Sequence, residues 1–139
     1  MRKAARRAAA MALMLVTACG GGTGVEPSGC GPDWIDAEVV VTEAGGTEEQ
    51  PIPIECMHQV ANRRIRVGFI LPAGPECHQL ARVELSESTT SVVVTLIGAV
   101  SDDPAAGACP TDARMVVSEI DLAAPLDHRA LLDGSRRLE

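Results

Sequence analysis

The chain has 139 residues, a formal charge of −7 from 12 basic and 19 acidic side chains, and almost no aromatic residues: one Trp, one Phe and no Tyr. That length suits one domain and not two, and the acidic balance argues against nucleic acid and against charge-driven binding to anionic headgroups. With Trp34 and Phe69 as the only rings, burial must come from Val, Ile and Leu, so the core is expected to be thin.

The first element in chain order is a leader. Arg2, Lys3, Arg6 and Arg7 precede an apolar run from Ala8 to Val16, and Val16-Thr17-Ala18-Cys19 closes it. Charged, apolar and small residues in that order make a secretory signal peptide. The run is shorter than the roughly 20 residues that cross a hydrocarbon core. Its ending closely resembles the lipobox of bacterial lipoproteins, a family in which the cysteine thiol receives a diacylglyceryl group and cleavage leaves a lipidated N-terminus. The resemblance implies lipidation at Cys19 and a lipid-anchored place on the extracytoplasmic face of the cell membrane. Arg6-Arg7 leaves the choice between Sec and twin-arginine export open. Gly20, Gly21, Gly22 and Gly24 follow, then Pro27 and Gly29, a composition that acts as a flexible tether. The expected division is a lipoprotein signal peptide over 1–18, lipidated Cys and tether over 19–29, and an extracytoplasmic β domain over 30–139. With four of the 12 basic residues in the leader, eight arginines remain against 19 carboxylates, a formal −11.

Beyond the tether, Ile35 to Glu43 reads as a strand that ends at Ala44-Gly45-Gly46. Glu48 to Pro53 reads as loop or irregular edge strand, because proline gives no ladder donor. Arg64 to Leu71 alternates, with Ile65, Val67, Phe69 and Leu71 on one face and Arg64 and Arg66 on the other. Arg82–Leu85 and Ser91–Ile97 form a hairpin whose second arm is continuous enough for a central strand covered on both sides. Ser101 to Pro110 is a loop, Arg114 to Leu122 another strand, Asp127 to Leu132 a helical turn or extended segment, and Asp133-Gly134 a turn. These elements predict an all-β fold: a small, disulfide-bonded antiparallel sandwich or barrel-like domain of about five to six strands.

With Cys19 assigned to lipid, Cys30, Cys56, Cys77 and Cys109 remain, an even number in an oxidising compartment. Four cysteines permit three pairings, and sequence alone does not choose among them. Cys30–Cys56 with Cys77–Cys109 is favoured because each joins neighbouring segments without one loop threading another. Each such loop contributes roughly 3–4 kcal/mol on the chain-entropy model. The competing reading is a copper or zinc site built from Cys56-Met57-His58, Cys77-His78 and His128. No C-x₂-C or H-x₃-H spacing supports it.

Pro125 to Gly134 looks most like a polar site, since Asp127, His128, Arg129 and Asp133 gather there and Arg129 could hold a carboxylate or phosphate. The plainer alternative is that Arg129 pairs with a nearby carboxylate and pins the C-terminal segment to the sheet. Glu48-Glu49 and Asp102-Asp103 read as hydrated turn residues, with Asp112 adding at most a weak calcium site. No Gly-x-Ser-x-Gly occurs, His58, His78 and His128 are the only histidines, and neither an enzyme nor a cofactor is expected.

From Ile65 to Gly134 the layout is similar to a group of small, uncharacterised lipoproteins of actinobacteria. It is carried by the strand ending near Cys77, the hairpin, Cys109, a further strand, Pro125-Leu126-Asp127-His128-Arg129 and Asp133-Gly134. The group's closing segment reads Pro-Leu-Gly-x-Arg, so Asp127 departs from it. The resemblance implies a β domain with a Cys77–Cys109 bridge and implies no activity. The functional expectation is a membrane-anchored binding or structural module of the cell envelope. Its partners would be the membrane, through the N-terminal lipid, and an envelope protein or cell-wall component, with no nucleic acid. An exported copper- or zinc-binding protein is the alternative.

Overall fold

The computed structural model describes residues 27–72, 77–102, 109 and 112–136, so Cys19 and most of the tether lie outside the described residues. A turn of 3₁₀ helix at Pro32–Trp34 precedes eight strands: β1 (Glu38–Val39), β2 (Thr47–Ile52), β3 (Ile54–Ala61), β4 (Arg64–Leu71), β5 (His78–Glu87), β6 (Ser91–Val100), β7 (Arg114–Asp121) and β8 (Ala130–Asp133). They form two facing sheets. The first runs β1-β7-β4-β3, and the second runs β2-β6-β5 with β8 also on β6.

Period-2 patterning sets the core. On β4 the inward residues Ile65, Val67 and Phe69 are fully buried, while Arg64 is exposed on the opposite face. Val116, Ser118 and Ile120 extend that inner face on β7, and Val92, Val94 and Leu96 meet it from β6. Phe69 is the largest side chain in the centre, so aliphatic residues supply nearly all the apolar burial. The Arg64–Leu71 strand, the hairpin and the Arg114–Leu122 strand stand where the pattern places them, and the hairpin arms run longer than expected. Its turn is held by Ser88, whose Oγ accepts from Ser91 N at 3.0 Å while Ser88 N donates to Ser91 O at 2.9 Å.

Strand β6 is central. Strand β5 flanks it along its length, and on the other side β8 pairs with Ser91–Val94 while β2 pairs with Leu96–Val100. The chain leaves that shared edge at Pro53 and enters the first sheet as β3. Proline suits a crossing between sheets because it leaves no N–H unmet.

The all-β sandwich carries more strands than the five or six anticipated, and it is not purely antiparallel: β1 runs parallel to β7, and β8 parallel to β6. Both parallel pairs are short edge additions made across long chain separations. Ile35–Glu43 shrinks to two paired residues plus a bond from Val40 N to Val117 O, leaving Val39 58 % and Val41 72 % exposed. Glu48 to Pro53 is an irregular edge strand with a register shift between Thr47 and Gln50. Ala130–Asp133 is extended rather than helical. Strand β3 has no counterpart in the sequence reading, because two register shifts interrupt its alternation. Most of the Ser101–Pro110 loop lies outside the described residues.

Two disulfides are present, Cys30–Cys56 and Cys77–Cys109, closing separations of 26 and 32 residues. The first sits on the outer face of the first sheet, where Cys56 stands opposite Gly68. A Cβ at Gly68 would lie 2.5 Å from Cys56 Sγ and 2.7 Å from the Trp34 ring, so only glycine lets the bridge and the ring lie flat there.

Candidate functional site

The C-terminal segment contains the polar cluster that the sequence singles out. Arg129 immediately precedes β8, and its side chain reaches back to the end of β5. Its guanidinium donates to Glu87 Oε1 at 3.0 Å and to the carbonyls of Ala124 at 2.7 Å and Pro125 at 2.8 Å. The Arg129 side chain is only 9 % exposed, so the fork is consumed by protein acceptors. Glu87 takes the Ala123 N–H on its other oxygen at 2.9 Å. That backbone bond first, then the guanidinium, holds the Glu87 carboxyl below its ordinary value against the opposing effect of burial. The pair closes the β7–β8 connection; it is a staple, as the plainer reading has it.

Asp133 does the same one strand further on. It is 1 % exposed, and its Oδ2 accepts from Ile54 N at 2.9 Å while Oδ1 accepts from Ser135 N at 2.9 Å and Ser135 Oγ at 2.6 Å. Ile54 is the first residue after the Pro53 crossing, where the backbone has left one sheet and only begins the other. A carboxylate is what that N–H needs, because a buried donor without a partner costs about 1–3 kcal/mol. Gly134 follows at close quarters: a Cβ there would lie 2.2 Å from Thr95 Oγ1. Of the cluster, Asp127 adopts φ 45° and His128 lies beside it in the connection, both on the rim of a shallow depression with Pro125 and Ala124.

The three histidines stand apart. His58 is on β3 opposite Arg66, His78 begins β5 in the other sheet, and His128 is in the β7–β8 connection. His78 borders an apolar cavity of about 220 Å³ with Ile52, Pro53 and Leu71, and its Nδ1, like that of His58, has no hydrogen-bond partner among the described residues. All four cysteines beyond Cys19 are in disulfides. Among the described residues no three His, Cys, Asp or Glu side chains gather as a metal-holding group. Asp102 instead accepts from Gly46 N at 2.8 Å, and Glu49 pairs with Arg82; Asp103 lies outside the described residues.

The opposite flank is open among the described residues. Strand β1 covers β7 only as far as Val117, and the chain then swings to the second sheet, where Glu43 N donates to Leu80 O at 2.9 Å. Strand neighbours alternate in the side to which their peptide groups point. Since Val117 O faces β1, the N–H and C=O of Glu119 and Asp121 face the same way, beyond the end of β1. No strand pairs with them among the described residues. Between that edge and β5 lies a cleft of about 480 Å³ bordered by Val41, Val83, Leu85, Glu119, Ile120 and Asp121. Arg82 also lines it and is engaged by Glu49 and, at 3.0 Å, by Glu84, hydrogen bonds that raise its pKa further. Sequence reasoning missed this feature, for its walls come from three segments far apart in the chain.

No family model, no curated protein and no solved structure matches this chain.

Proposed function

We propose that the protein is a lipid-tethered module of the cell envelope, held on the extracytoplasmic face of the membrane through Cys19, and that it serves there by binding or scaffolding rather than by catalysis. The observation that carries this reading is the pair of disulfides, since such bonds persist in oxidising compartments and are rare in the cytosol. The context of Cys19 supplies the lipid. The structure of the domain's beginning suits a tether: Met57 N donates to Ser28 O at 3.0 Å, and Cys30 is bonded to Cys56 two residues further on. A pull from the membrane therefore meets a covalent bond into β3 before it reaches the core. No helix among the described residues is long and apolar enough to cross a membrane.

The test is a Cys19→Ser substitution in the native host. The wild-type chain is expected in the detergent-extracted membrane fraction, with its mature N-terminus heavier by a diacylglyceryl group, and the variant in the soluble extracytoplasmic fraction. Equal membrane retention of both forms would overturn the reading.

A further inference from the structure

From the way the chain enters the fold we infer that the β3 flank, the outer edge of β3 with its Asn62–Arg63 turn, is the side of the domain that lies against the lipid headgroups. The inference rests on the lipid-tether reading, to which it adds an orientation. The bilayer meets β3, and the β1 edge of the same sheet looks away from it.

Two observations carry it. The first is where the tether joins the domain and how far it reaches. Ser28 stands beside the outer edge of β3, its carbonyl accepting from Met57 N at 3.0 Å, and Cys30 is bonded to Cys56. As the residue number rises from 28 to 30, that of the β3 partner falls. The chain therefore runs counter to β3 and enters from the side of the Asn62–Arg63 turn. Pro27 is eight residues on from Cys19, so even a straight chain spans at most about 29 Å between them. A domain of roughly 100 residues has a radius of gyration of about 13 Å, which sets opposite flanks roughly 35 Å apart. Strands β3 and β1 are the two edges of the first sheet. For the β1 edge to face the bilayer, the tether would have to run around the molecule, a longer path than it has.

The second observation is charge. Strand β3 has one carboxylate, Glu55, and Arg136 pairs with it at 3.4 Å. Residues Gln59 to Arg63 are exposed and include Val60, a small apolar contact; Asp127, next to Leu126 at that turn, offsets Arg63. Among the described residues this flank is close to neutral. Toward the other edge stand Glu38, Glu43, Glu119 and Asp121, with only Arg64 and Arg66 reaching the last two from β4. Anionic headgroups repel that acidic flank and leave the neutral one alone.

The experiment uses the mature lipidated protein, isotope-labelled and with both disulfides intact. It is placed in nanodiscs of phosphatidylcholine and phosphatidylglycerol that contain a lipid with a spin-labelled headgroup. Amide broadening is expected to be several-fold stronger at Val60–Arg63 than at Val41, Leu85 and Asp121. Inserting about 20 Gly and Ser residues after Gly24 raises the r.m.s. reach of the tether to roughly 30 Å and should even out the contrast. Equal broadening of both flanks in the wild type would overturn the inference. So would broadening centred on Ile70 and Met115 of the first sheet's outer face, or a contrast that the insert leaves untouched. Co-elution with the discs, read on the same sample, separates the two claims. A chain that elutes without them overturns the lipid reading and the orientation together, whereas one that stays with them and broadens evenly overturns the orientation alone.

Discussion

The two flanks of the sandwich meet the same problem in opposite ways. On the β8 side, the backbone groups exposed by a short parallel strand and a sheet crossing are met by buried side chains: Arg129 takes two carbonyls and Glu87, and Asp133 takes Ile54 N. On the β1 side, a two-residue strand ends early and nothing among the described residues replaces it. Arg129 and Asp133, two of the residues that look most like a site, are therefore architecture, because their polar atoms are taken by the protein itself, while Asp127 and His128 stay exposed beside them. On the β1 side the outward peptide groups of Glu119 and Asp121 have no strand beside them among the described residues.

That contrast can be broken most forcefully at Asp133. Replacing it with Ala strands the buried Ile54 N and removes the partner of the half-buried Ser135, and should cost about 3 kcal/mol in urea unfolding. A loss below about 1 kcal/mol would mean that the crossing does not depend on this carboxylate. Arg129→Met should cost about 2 kcal/mol, since Glu87 and two carbonyls lose their partner at once. Gly134→Ala comes next, at about 1–2 kcal/mol, because its methyl would press on Thr95 and Val93. Leu85→Lys on the open flank is expected to change stability by less than about 0.5 kcal/mol. A large loss there would show that the cleft wall is core and not surface.

The pH dependence sharpens the same comparison. Glu87 has its folded-state pKa lowered, so its contribution is fully present above the unfolded value. It is lost as the pH falls from about 4.3 through the folded value. Wild type should therefore lose stability in that acid range more steeply than Glu87→Gln does, a difference that denaturation midpoints measured from pH 6 to pH 3 will register.

Legibility in the sequence followed the range of the interactions. Arg64–Leu71 and the hairpin could be read because their pattern is local and their partners are near in the chain. The pinning role of Arg129 was readable as one of two options, though its partner Glu87 lies 42 residues away and gives no local signal. Strand β3 was hidden for a geometric reason: shifts between Ile54 and Cys56 and between Gln59 and Ala61 break the alternation that would mark it. The parallel edges and the cleft depend on which distant segments meet, and no period in the chain encodes that.

Native-state hydrogen exchange of individual amides tests the closed and open flanks in a single measurement. Strong protection is expected at Ile54 N and Gly134 N, which are bonded to Asp133 and to Val94 O, with rapid exchange at Glu119 and Asp121 on the same protein. Rapid exchange at Ile54, or protection at Glu119 and Asp121 equal to that of their neighbours Ser118 and Ile120, would contradict it.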